Sequence, residues 1–161
     1  MLLLRVFTPY VLFNIILVFS FSVTVNSYVQ IQNINIIFYI IFHLTFVYFL
    51  FYQYHYSLFI IGFIYGVLLD IFLINEIGSH LITFLILILL YTQLKKYLFQ
   101  LNSFQISLTI FVTLNIILIS ELVFAFLIND IYFNFFQVIK YIIISFILLV
   151  PSLFVLNKID N

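Results

Sequence analysis

The chain has no cysteine, three glycines, two prolines and a single alanine, Ala125. Without cysteine there are no disulfides, no thiolate metal sites and no thiol catalysis. Charge is nearly as scarce. Only 6% of the 161 residues are charged, against about 25% in an ordinary soluble domain. Five basic and five acidic residues cancel to a net charge of zero. With no basic run, nucleic-acid binding has no support.

What is present is apolar. Hydrophobic residues make up 67% of the chain, well above the roughly 45–50% of soluble domains. This composition predicts a polytopic membrane protein, a single integral domain over residues 1–161 with no separate soluble part. A span takes about 20 apolar residues, which limits the chain to about six or seven. Ile, Phe, Tyr and Asn are used heavily, as AT-rich coding would produce. Bulky side chains then occur by default, and an aromatic stripe carries little information.

Polar breaks divide the chain into six apolar stretches. They run from about Val6 to Val25, Asn35 to Tyr52, Ser57 to Ile74, Ser79 to Leu94 (or, alternatively, to Leu98), Ile106 to Ile128, and Phe136 to Leu156. Lipid offers no partner for an open strand's backbone, so helices are required. Runs such as Leu81–Leu90 lack the alternation of a barrel. The expectation is an all-α, compact six-helix transmembrane bundle. The first stretch, with Arg5 before it and Ser20 and Ser22 near its end, is longer than a signal-peptide core and reads as a retained span.

The basic residues orient the bundle. With both termini cytoplasmic, Arg5, Lys95, Lys96 and Lys158 fall inside, following the positive-inside bias. Glu76 and Asp130 fall in outer loops, and Lys140 lies about one turn into the last span from the outer side. Lys95-Lys96 reads as an anchor for anionic membrane lipids.

All three glycines fall between Gly62 and Gly78. Gly62, Gly66 and Asp70 are spaced by four and share one helix face. Small residues at that spacing let a second backbone approach, whether from this chain or a partner. An acid in an apolar span is costly and needs a reason. Asp70 reads either as a polar pin bonding a neighbouring helix or the Asn75–Gly78 turn, or as a proton or cation site. Glu121 lies in the outer half of the fifth stretch, near Asn115 and Ser120. Asp70, Glu121 and Lys140 all fall in the outer half of the bilayer. They read as a charge cluster with two acids sharing one base, or as three unrelated residues.

His43, His55 and His80 lack a second ligand at helical spacing, so no metal site is expected. Ser79 beside His80 has no GxSxG context and reads as the N-cap of the next helix. Pro9 is tolerated early in its helix, whereas Pro151 should kink the last one. No catalytic residue and no cofactor is expected.

The segment Gly66-Val-Leu-Leu-Asp70, then Ile77-Gly78, Leu81–Leu90 and Lys95-Lys96, resembles the rod shape-determining protein MreD family. The likeness covers about Ser57 to Leu98, a quarter of the chain; elsewhere length, span count and hydropathy agree. It implies a non-catalytic subunit of the bacterial cell-elongation complex in the inner (cytoplasmic) membrane. Such a subunit would bind the bitopic protein MreC. It would thereby help couple MreB filaments to peptidoglycan synthesis by RodA and the elongation transpeptidase. Members of that family also resemble the substrate-binding S components of vitamin transporters in fold, which is the competing function. The first stretch offers Ser20 and Ser22 but no Ala-xxx-Ala docking stripe. A third reading, an intramembrane enzyme with Asp70 and Glu121 as acid and base, lacks a nucleophile, a metal and a phosphate loop.

Overall fold

In lipid a backbone must satisfy its own hydrogen bonds, and every regular element among the described residues is a helix. The structure is a computed structural model that describes residues 15–17, 19, 32–52, 57–73, 78–98, 101–130, 132 and 134–160. The helices are α1 (Gln32–Tyr52), α2 (Ser57–Leu73), α3 (Ser79–Leu98), α4 (Ser103–Asn129) and α5 (Phe135–Asp160). Ile15, Ile16, Leu17 and Phe19 are also helical, and the rest of the first apolar stretch lies outside the described residues. So do Arg5, Pro9, Ser20, Ser22, His55 and Glu76, and the side chains of Lys95 and Lys96.

Three helices are long and apolar enough to cross a membrane, at Asn35–Tyr52, Ser103–Ile128 and Val138–Lys158. Shorter apolar helical segments occupy Leu58–Phe72 and Ser79–Gln93. The ends of α4 are set by local chemistry. At its start the Gln105 side-chain oxygen accepts the Asn102 N–H at 2.9 Å, and the Ile106 N–H reaches the Asn102 carbonyl at 2.9 Å. The Gln105 side chain and this first rung of the backbone ladder open the helix one turn before the apolar run begins. At its end Asp130 adopts a left-handed conformation (φ 53°, ψ 28°) and its N–H returns to the Ala125 carbonyl. Aspartate is among the few residues that tolerate this region. The last helix continues through Pro151, whose missing N–H removes one rung of its ladder.

Packing places α1 in the middle. Every residue from Phe42 to Leu50 is buried. A helix buried all round has no polar stripe, so its sequence carries no face to read. Its aromatic residues key into two neighbours. Phe42 meets Tyr65 of α2 at 5.0 Å between ring centroids, and Phe46 meets Phe84 of α3 at 4.5 Å in an edge-on contact. Ile110, Leu114 and Ile117 of α4 complete the buried core. On the far side α5 packs on α1 and α4 and leaves much of its apolar surface outward, including Phe146, Ile147, Val150 and Phe154. Such a face suits lipid.

The tightest helix pair is α2 with α3, and glycine makes it possible. A Cβ built on Gly66 would lie 2.4 Å from Leu81 Cα and 2.9 Å from Leu81 N. No side chain fits there without moving backbone. One built on Gly62 would lie 2.5 Å from Ile88 Cδ1, the end of a flexible side chain. The glycine stripe therefore receives α3 of the same chain. At Gly78 a Cβ would meet Ile128 Cγ2 at 3.3 Å, so this residue lets the α3 start lie close against α4.

Candidate functional site

Below the turn between α2 and α3 lies a run of buried polar side chains. Asp70, His43 and Ser79 have no exposed surface, Glu121 is 2% exposed and His80 5%. Apolar surroundings make such groups expensive unless they are paired, and each one is.

Asp70 is fully occupied at the start of α3. Its Oδ2 accepts the N–H of Gly78 at 2.8 Å and of Leu81 at 3.2 Å. Its Oδ1 accepts the His80 N–H at 2.9 Å and the Ser79 hydroxyl at 3.3 Å, and lies 2.7 Å from the His80 ring Nδ1. The opening N–H groups of a helix lack intrahelical partners, and a carboxylate suits that end electrostatically. Asp70 thus caps α3 from the preceding helix. This corrects the expectation for Ser79, which is the first helical residue; the oxygen that caps is Asp70's. Charge-assisted bonds of this type contribute about 1.5–3 kcal/mol each.

Glu121 of α4 is held on both oxygens by α1. The Tyr39 hydroxyl donates to its Oε2 at 2.5 Å, and His43 Nε2 meets its Oε1 at 2.9 Å. His43 Nδ1 donates to the Tyr39 carbonyl at 2.8 Å. The His43 ring is fixed by its neighbours, stacked on Phe84 at 5.4 Å and edge-on to Phe42. Tyr39 also joins the two acids. Its hydroxyl lies 3.1 Å from His80 Nε2, so Asp70, His80, Tyr39, Glu121 and His43 form one continuous chain. Tyr141 of α5 borders it, its ring 6.2 Å from that of Tyr39. The chain starts three residues from the end of α2 and reaches Glu121, about 12 Å in from the end of α4 at about 1.5 Å per residue.

The two acids expected to share Lys140 are instead paired with histidines. The ion pairs among the described residues are Glu121–His43 at 2.9 Å and Asp70–His80 at 2.7 Å. Lys140 lies exposed in the second turn of α5. The reason is geometric: α4 turns Glu121 toward α1, whereas α5 presents Tyr141, and not the exposed Lys140, to the network. Asn115 and Ser145 make a separate contact between α4 and α5 at 3.2 Å.

Ser79, His80 and Asp70 lie together but not as a hydrolase triad. In a triad the serine and the acid use opposite ring nitrogens of the histidine. Here Ser79 Oγ (3.3 Å) and Asp70 Oδ1 both face Nδ1, while Nε2 faces Tyr39. Sequence reasoning had Asp70 and Glu121 but left Tyr39, His43 and His80 outside the cluster. The available signal was His43, mid-way along an apolar stretch, where an imidazole needs a buried partner.

No known protein family, curated protein or solved structure matches the chain.

Proposed function

We propose that the protein is a non-catalytic membrane subunit of the bacterial cell-elongation complex, of the MreD type, anchored in the inner membrane with both termini cytoplasmic. It would bind an MreC-like bitopic protein and help couple MreB filaments to RodA and the elongation transpeptidase. The observation that carries this reading is what the resembling residues do. Gly66, Asp70 and Gly78 build one clamp: Gly66 admits the α3 backbone, Asp70 caps it, and Gly78 gives it room beside α4. Asp70 takes three backbone N–H groups of the α3 start into that clamp. A fixed pairing of α2 with α3 is what a scaffold needs.

The clamp also moves the expected partner contact. Gly62 and Gly66 are filled from within, so a bitopic partner would dock elsewhere. Within this proposal the bundle has six spans in the manner of a transporter S component.

Depletion in a rod-shaped host tests the proposal. Rounding of the cells, with loss of co-purified MreC-like protein, is expected. Unchanged shape would overturn it. The competing reading, a vitamin transporter S component, draws on the polar interior contributed by four helices. Saturable binding of a vitamin by the purified protein would establish that reading instead.

A further inference from the structure

A helix cap needs only Asp70, and a packing pin needs only one ion pair. The network has something beyond both: a phenol that connects the two pairs. Hydrogen positions follow from what each atom can do. The Tyr39 carbonyl only accepts, so His43 Nδ1 carries a hydrogen. Its Nε2 and Glu121 Oε1, at 2.9 Å, then hold one shared proton between them. His80 Nδ1 and Asp70 Oδ1, at 2.7 Å, hold another. The Tyr39 hydroxyl has one proton, directed at Glu121, and its lone pair faces His80 Nε2. Exchangeable hydrogens therefore run without a gap from the α2–α3 turn to the bundle interior. The walls are apolar and aromatic: Phe42, Phe84 and the outer ring of Tyr141.

We propose that this chain is a proton relay that loads and unloads Glu121 from the Gly78 end of the bundle. Its ligand is the proton. In the loading step the Asp70 Oδ1–H bond breaks as His80 Nδ1–H forms. The His80 Nε2–H bond breaks as a new Tyr39 O–H forms. The original Tyr39 O–H bond breaks as Glu121 Oε2–H forms. One proton leaves Asp70, one arrives at Glu121, and imidazole and phenol both end neutral. A proton supplied by solvent hydronium at the Gly78 end of the bundle would replace the one on Asp70, which lies three residues from the end of α2. Unloading is the same sequence reversed. The groups facing the path are Tyr39 and His43 from α1, Asp70 from α2, Ser79 and His80 from α3, Glu121 from α4 and Tyr141 from α5. Chains of Asp, Glu and His inside the membrane serve as proton relays in pumps and transporters. The inference is independent of the scaffold reading, and the test below does not involve cell shape.

The test is infrared spectroscopy of the full-length protein in lipid nanodiscs, titrated across the pH range in which it stays folded. A protonated-carboxyl band that disappears in Glu121→Gln is expected. On transfer to heavy water the band should shift promptly in the wild type. In Tyr39→Phe, which keeps the ring and removes the bridge, exchange should slow by about 100-fold, the scale of a lost proton-transfer group. Equal exchange in Tyr39→Phe and wild type overturns the relay, as does the absence of any Glu121-dependent band. If Tyr39→Phe fails to fold, the wild type decides. The Glu121 proton should exchange much faster than the buried amides of residues 42–50, and exchange only in step with those amides overturns the proposal.

Discussion

Replacing Gly66 with alanine adds one methyl group at the place where α2 and α3 come closest. The new Cβ would lie 2.4 Å from Leu81 Cα, 2.9 Å from Leu81 N and 3.2 Å from Leu81 Cβ. Two of these three atoms are backbone, so no rotamer change relieves the contact. Reaching ordinary contact at 3.4 Å requires the helices to part by about 1 Å, the difference between 3.4 and 2.4 Å. That movement draws the α3 start away from Asp70, lengthening bonds now at 2.8–3.2 Å. Overpacking costs about 1–3 kcal/mol, and weakening charge-assisted caps adds about another 1–2 kcal/mol. Alanine's better helix propensity returns up to about 1 kcal/mol. The net expectation is a loss of about 2–4 kcal/mol, by combining these terms. Gly62→Ala is the matched control. Its Cβ meets only the tip of Ile88 at 2.5 Å and Phe46 Cζ at 3.4 Å. A rotamer shift plus the propensity gain leaves it within about 1 kcal/mol of wild type. Thermal unfolding of both variants in the same detergent checks the ranking. Gly66→Ala proving as stable as Gly62→Ala would refute the close-approach argument.

Other perturbations separate the roles inside the network. Asp70→Ala removes the cap and strands His80, and should destabilise by about 3–5 kcal/mol as a broken buried pair does. Asp70→Asn, which can still accept N–H bonds as a cap, should retain more stability and keep the α3 start protected in hydrogen exchange. A double-mutant cycle on His43→Phe and Glu121→Leu should give a coupling of about 0.5–3 kcal/mol, and additive effects would mean the pair is not coupled. Ser145→Ala should cost only about 0.6 kcal/mol, the typical worth of one interhelical hydrogen bond in a membrane, because its hydroxyl divides between Asn115 and the Ile142 carbonyl. Measured denaturation in mixed micelles resolves that difference from the larger ones.

Much of the helical layout is visible in the apolar stretches, since polar breaks coincide with helix ends. The α4 boundaries were less legible. The Gln105 side chain accepts the Asn102 N–H and starts the helix before the hydrophobic run, and Asp130 ends it in a left-handed turn. The candidate site divides in the same way. Asp70 and Glu121 are conspicuous as acids in greasy surroundings. Their partners are not, because His43 and Glu121 are 78 residues apart and Tyr39 and His80 are 41 apart. Lys140 looked equally suited by depth alone. Depth is encoded in sequence position, but the rotation of a helix that is apolar on every side is not.

The sequence alone therefore determined composition class, helix content and the Gly62-Gly66-Asp70 face, because each follows from local chemistry and a fixed 3.6-residue period. Only the tertiary structure decided what meets that face and those acids. Aromatic packing among Phe42, Phe46, Tyr65 and Phe84 sets the rotation of α1 between its neighbours. That rotation turns Tyr39 and His43 toward Glu121 and His80. In a chain without amphipathic stripes, the fit of bulky side chains against one another chooses the partners of the few charges.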